Sequence, residues 1–469
     1  MTICRGQELY EIEKPSFNSL LFDEAFPAYY EDGIVFSSNR RTSYFVSYTM
    51  FENNENLFNY FISKKQDNKW TNEIIFSESL ITRSNKATVV FNRTGNKMYF
   101  TRNVHDPGPL RNFRGDNNFL NIYVATKMGN EWTNITPLFG QEELGYHIAY
   151  PSLSADDKTI YFSSDMPGGE GRWDLYYSTF ERGRWSDPVS LGPTINTSGD
   201  ELFPFIHESG RLYFSSWKHN TMGRLDIFYT EFVNGKWTEP VQLPEPINSR
   251  YDDYSFIANE DLTNGYFCSD RDRSSDDIFE FKSLFPEFSA CKEVEENNYC
   301  FVFYEQGSMQ LDTTSLEYEW DLGDGTKVRG LEAEHCFEGP GFYLIQLNVI
   351  DTLTGEVYFN EATYEFPLEK IEQVYITGPD TCYAGEEIQF SASETNLKDF
   401  EINYYYWKLG SYTKKTGEKI SHVFHREGLY NVQLGVTSVP GRRDNYEKKC
   451  GYKSVLVLPP RGMKLSDSE

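Results

Sequence analysis

Tyr161-Phe162-Ser163-Ser164, then Asp174-Leu175-Tyr176, then Gly183-Arg184-Trp185 is the stretch that decides the fold, because the chain repeats it. The aromatic pair with small hydroxylic residues returns as Val35-Phe36-Ser37-Ser38, Tyr99-Phe100-Thr101-Arg102, Tyr213-Phe214-Ser215-Ser216 and Tyr266-Phe267-Cys268-Ser269. The element after it returns as Asn56-Leu57-Phe58, Asn121-Ile122-Tyr123, Asp226-Ile227-Phe228 and Asp277-Ile278-Phe279, with the two-residue period of a strand. The turn with a tryptophan returns only as Asn68-Lys69-Trp70, Asn130-Glu131-Trp132 and Asn234-Gly235-Lys236-Trp237, so the fifth unit lacks its last part.

That part stands at the other end of the chain. After Trp237 come Pro240-Val241-Gln242-Leu243, Ile247-Asn248-Ser249 and Asp252-Asp253-Tyr254; the N-terminal region offers Ile12-Glu13-Lys14-Pro15, Phe17-Asn18-Ser19 and Asp23-Glu24-Ala25-Phe26-Pro27. A unit of about 50 to 60 residues with four strands is the size of a propeller blade. An open last blade would leave an unpaired edge, which the first strand of the chain can fill. The expected fold is all-β, with a five-bladed β-propeller over residues 1–285 whose last blade is closed by the N-terminal strand.

Composition agrees. Of 469 residues, 16% are aromatic, with 33 Tyr and 36 Phe, a bias toward strands. The formal charge of −27 repels phosphate backbones and argues against nucleic acid as a partner. No apolar run is long enough for a membrane helix, and the opening residues have no apolar core of a signal peptide. Five of the seven cysteines, Cys291, Cys300, Cys336, Cys382 and Cys450, fall in the last 180 residues without zinc-site spacing, which favours an oxidising compartment.

With Pro151-Ser152-Leu153-Ser154-Ala155-Asp156 ahead of it, the Tyr161-Phe162-Ser163-Ser164-Asp165 and Gly171-Arg172-Trp173-Asp174-Leu175-Tyr176 pair resembles the PD40 (WD40-like) repeat of TolB-type propellers. After Phe285-Pro286 the repeat stops. Tyr318-Glu319-Trp320-Asp321-Leu322-Gly323-Asp324-Gly325, then Gly341-Phe342-Tyr343-Leu344-Ile345-Gln346-Leu347-Asn348-Val349, resembles a PKD domain, an immunoglobulin-like sandwich. A degenerate copy has Tyr406-Trp407-Lys408-Leu409-Gly410-Ser411 and Gly428-Leu429-Tyr430-Asn431-Val432-Gln433-Leu434. The expected modules are a PKD domain over 286–370, a PKD-like domain over 371–460 and a tail over 461–469. Cys382 and Cys450 are expected to pair, as neighbours of first and last strands; Cys300 is expected to pair with Cys336, Cys291 being its other candidate.

The chemistry is sparse. Asp23-Glu24, Asp200-Glu201 and Asp252-Asp253 enter successive units and so read as products of the repeat, repeated rim carboxylates and not a one-off active site. No nucleophile elbow, His-Glu-x-x-His or P-loop is present. Asp321 and Asp324 resemble positions where some PKD domains bind calcium; no other cofactor is implied. Residues expected to face a partner are His105, Arg111, Phe113 and Arg114 in a long insert with Asp200, Glu201, Asp252 and Asp253 on the rim. Cys4 is read either as a lipid-bearing cysteine or as an ordinary thiol.

The order propeller, PKD, PKD-like resembles envelope proteins of the Bacteroidota that often continue into an OmpA-like peptidoglycan-binding domain and serve type IX secretion or gliding. The resemblance implies a non-catalytic scaffold in the periplasm, at the inner face of the outer membrane, with envelope proteins as partners and peptidoglycan only if such a domain has been removed. The alternative is a carbohydrate-binding adhesin or a propeller glycosidase with accessory sandwiches.

Overall fold

The computed structural model describes residues 9–42, 56–67, 69–82, 84–104, 119–140, 144–233, 235–272, 275–304, 315–440 and 446–461. Among them the chain is all-β, with a single 3-10 turn at Glu78–Leu80 and no α-helix. His105, Arg111, Phe113, Arg114 and Cys4 lie outside the described residues. Two compact units are present, residues 1–285 and 286–469.

The first unit holds five antiparallel sheets of four or five strands. Glu24–Tyr30, Lys86–Phe91, Ile148–Leu153, Glu201–Ile206 and Asp253–Ala258 are their first strands. Each of these packs on the next, and Asp253–Ala258 packs on Glu24–Tyr30, which brings the series back to its start. The second strands carry the repeated aromatic pair, and their burial explains the motif. Phe36, Phe100, Phe162, Phe214 and Phe267 are all but inaccessible to solvent, as are Ser37, Thr101, Ser163, Ser215 and Cys268 on the opposite face. Each buried Phe contributes roughly 2 kcal/mol.

In the fifth sheet, Tyr10–Glu13 pairs antiparallel with Asp277–Ser283, Ile12 opposite Phe281. Asn18 then bonds both ways to the backbone of Ile278, Oδ1 accepting at 2.9 Å and Nδ2 donating at 2.9 Å. Asn196 brackets Leu175 in the same manner, and Asn248 brackets Ile227. One element is shifted from the sequence reading: Ser38 pairs with Asn59, so Asn59-Tyr60-Phe61, and not Asn56-Leu57-Phe58, is the first copy of the second motif.

The second unit contains two sandwiches. In one, Cys300–Tyr304 pairs with Glu332–Cys336 across from a sheet ordered Lys327–Arg329, Leu316–Asp321, Gly341–Asp351, Val357–Leu368. In the other, Glu387–Ser391 pairs with Lys419–Val423 across from a sheet built on Ile402–Leu409, Gly428–Ser438 and Lys448–Leu458. Trp320 and Trp407 are buried at the two cores, and each indole donates to a glycine carbonyl, Gly330 and Gly417 respectively.

Lys292–Glu293 pairs in parallel with Gly451 and Tyr452, so this short strand, ahead of the first sandwich in the chain, joins the sheet of the second, and the expected Cys382–Cys450 pairing is corrected. Cys450 is therefore bonded to Cys291, while Cys382 is buried and free. The reason is register: Cys382 lies opposite Val457, about 20 Å along the strand from Cys450. Cys300 and Cys336 are opposite each other and disulfide-bonded.

Candidate functional site

Each first strand of the first unit is entered through a pair of residues. The second of the pair is buried: Glu24, Glu201 and Asp253 have no accessible surface. Glu24 accepts from Ser19 N–H and Ser38 Oγ and pairs with Arg40. Glu201 takes Thr197 N–H and Ser216 Oγ, and Asp253 takes Ser249 N–H and Arg271. Burial raises the affinity of all three for protons, and their hydrogen bonds oppose it. Glu201 and Asp253 therefore fasten the fold and are not presented to a partner.

The first of the pair lies at the rim. Asp200 is held by Arg172 and Asp252 by Arg224, both bidentately. At this junction the strand-entering N–H of Glu201 donates to the Trp173 carbonyl, and that of Asp253 donates to the Leu225 carbonyl.

The junction of the fifth sheet with the first departs from that pattern. Glu24 N–H donates to the carbonyl of Asp276 at 2.8 Å, so Asp276 occupies the backbone position of Trp173 and Leu225. Pairing of Ser38 with Asn59 and of Arg102 with Asn121 places Phe58 and Leu120 there in the other two sheets. A carboxyl thus replaces an apolar side chain at one junction of five. Ser275 stands where Arg172 and Arg224 stand, and Asp23 accepts from Asp276 N–H at 3.1 Å and Asn39 Nδ2 at 2.7 Å.

Asp276 is pushed up to about 6, chiefly by burial, then by the charge of Asp23, with Asp270 and Asp252 adding; a hydrogen bond with Tyr254 works the other way. A carboxyl of that acidity keeps its proton to a higher pH than an ordinary aspartate, the direction a general acid needs, and a second carboxyl stands beside it.

Beside this cluster the first strands bulge. Phe26, Tyr150, Phe203 and Ser255 have φ of 58°, 61°, 54° and 52°, each where the pairing register shifts. The bulges bring aromatic rings together: Tyr150 and Phe203 centroids are 4.3 Å apart, Phe203 and Tyr254 5.1 Å, Phe26 and Tyr254 6.1 Å. Beyond the rings is a cavity of about 200 Å³ whose lining includes Pro27, Thr88, Pro151, Pro204 and Ser255.

Sequence reading missed Asp276. The signal was available: Asp276-Asp277 doubles the acid where the other copies have Trp173-Asp174 and Leu225-Asp226. In the second unit, Asp324 pairs with His335 and Asp321 with Lys327.

Comparison with known proteins adds the following. Residues 290–361 and 371–450 match the PKD domain family. Collagenase ColA of Bacillus cereus is 25% identical over 112 residues, which are 24% of this chain and 12% of the collagenase. An exo-β-1,3-galactanase from Clostridium thermocellum is similar at a TM-score of 0.35 and 10% identity, over 95% of this chain and 100% of that one. An α-L-arabinofuranosidase from Lactobacillus brevis is similar at a TM-score of 0.32 and 12% identity, over 54% and 85%. The expectation that the chain is not an enzyme is corrected: the similar structures include enzymes, and the junction carries a carboxyl pair that the repeat does not account for.

Proposed function

We propose that the chain is a carbohydrate-active protein whose first unit is a five-bladed propeller of the PD40/TolB-like type, and whose PKD modules are accessory domains. The glycan site is assigned to the junction of the last and first blades. Asp276 is the proton donor and Asp23 the partner carboxyl, with the Tyr254 hydroxyl and the Phe26 ring beside them. The observation that carries this reading is Asp276 itself, an acid held at about 6 where equivalent positions are apolar. Hydrolysis of a glycosidic bond needs such a protonated carboxyl and a second carboxyl on the other side of the bond. The chain matches 12% of its collagenase relative, so peptide hydrolysis is not carried over.

The test is a hydrolysis and glycan-array screen of the full chain. Saccharide release that Asp276→Asn and Asp23→Asn abolish, and that Asp200→Asn leaves within threefold, supports it. No release and no glycan retained, or equal loss in all three variants, overturns it. For location, two disulfides in the second unit support an oxidising compartment, and we propose the periplasm, at the inner face of the outer membrane.

A further inference from the structure

We propose that the outer edge of strand Val357–Leu368 in the first sandwich is a docking site for an extended, basic segment of a partner protein, added as a short parallel strand. The two sandwiches end in equivalent hairpins. Gly341 pairs with Leu368 and Gln346 with Thr363 in the first, and Gly428 with Val457 and Gln433 with Tyr452 in the second. In the second, the outer edge of Lys448–Leu458 is filled by two parallel segments, Lys292–Glu293 and Thr381–Tyr383. Val294 N–H donates to Tyr452 O at 2.9 Å, and Leu456 N–H to Asp380 O at 2.8 Å. These bonds identify the residues whose backbone groups point outward.

In the first sandwich, no strand pairs with that edge among the described residues. The segment that directly precedes it, Lys292–Glu293, is taken by the second sandwich. Register puts Thr363 in the place of Tyr452 and Pro367 in the place of Leu456. Thr363 with its alternates Glu361 and Glu365 therefore offers outward N–H and C=O groups, while Pro367 offers no N–H and stops pairing there. At the other end Asn360, with φ of 58°, forms a bulge. Among the described residues no strand pairs with the outward backbone groups of Glu361, Thr363 and Glu365, which form a window the length of a short added strand.

Charge selects the occupant. Glu361 and Glu365 lie in the window and Glu356 just before it. A second copy would bring its own carboxylates against these, an unfavourable cross-strand arrangement, whereas Lys or Arg at alternate positions pairs with them. Phe359, 68% exposed, lies just before the window and offers apolar contact to the partner.

The experiment is fluorescence anisotropy on the full chain with two labelled nonapeptides, one alternating Val with Lys and one alternating Val with Glu. The Val/Lys peptide is expected to bind saturably and the Val/Glu peptide at least tenfold more weakly. Thr363→Pro removes an edge-facing N–H while sparing the bonds to Gly341–Asp351, and is expected to weaken binding at least tenfold. The pair Glu361→Lys, Glu365→Lys is expected to reverse the preference and keeps the test open should the proline variant not fold. Absence of saturable binding, binding that survives Thr363→Pro, or a dimer that Thr363→Pro dissolves would each overturn the assignment, the last by giving the edge to a second copy.

Discussion

The backbone N–H of Asp276 donates to the carboxylate of Asp23 at 3.1 Å, across 253 positions of sequence. The bond ties the last sheet of the first unit to the loop that enters the first sheet. It also sets two acidic side chains next to each other, where the junctions at Asp200 and Asp252 pair an acid with an arginine.

That arrangement has a pH signature. A carboxyl raised to about 6 in the folded chain from an unfolded value near 4 contributes most favourably below pH 4, and that contribution is lost as pH rises through 6. Asp276→Asn is therefore expected to be more stable than the parent at pH 8, by about 2 kcal/mol, and indistinguishable from it at pH 4. Chemical denaturation at the two pH values measures both.

Cys268 accepts the N–H of Phe26 at 3.2 Å at a position filled by Ser37, Thr101, Ser163 and Ser215 in the other sheets. Burial pushes its thiol far up. In the native chain it is expected to resist alkylation at pH 8, as read by mass spectrometry. Cys268→Ser is expected to be nearly neutral, and Cys268→Val to lose about 1–3 kcal/mol by leaving the Phe26 N–H without a partner.

Arg40 and Arg172 both bind an acid, with opposite consequences. Arg40 is buried against Glu24, the Phe17 carbonyl and Ser38, so Arg40→Ala strands a buried carboxylate and is expected to cost about 3–5 kcal/mol. The Arg172 side chain is 76% exposed, and Arg172→Ala is expected to leave the melting temperature nearly unchanged. Thermal denaturation of the two variants separates the cases.

The Cys291–Cys450 bond closes a separation of 159 residues. Cys450→Ser is expected to lower the stability of the second unit by about 2–4 kcal/mol, and Cys382→Ser to leave the disulfide map intact. Non-reducing peptide mapping is the check.

Some of this was legible before any coordinates. The repeated Tyr-Phe-Ser-Ser element is legible because its residues do the same work in every sheet, an aromatic on one face and a small hydroxyl on the other, both buried. Phe17-Asn18-Ser19 reads as a displaced copy of Ile247-Asn248-Ser249 for the same reason: Asn18 and Asn248 each bracket one backbone residue. Asp276 escaped because a search for recurrence passes over the residue that breaks it. The Cys382 pairing failed because spacing carries no register, and register alone decides that Cys382 meets Val457.

The sequence by itself determined what is local or periodic: all-β character, the sheet-forming repeat, the return of the first strand to the last sheet, and the buried tryptophans of the PKD modules. Alternating burial writes those features directly into residue type. Only the tertiary structure decided which acids are fastened and which are available, which sheet Lys292–Glu293 joins, and which cysteine faces Cys450. These depend on distances between residues far apart in the chain. Solvent exclusion at such meetings, as at Asp276 and Asp23, changes the chemistry of a side chain without changing its letter.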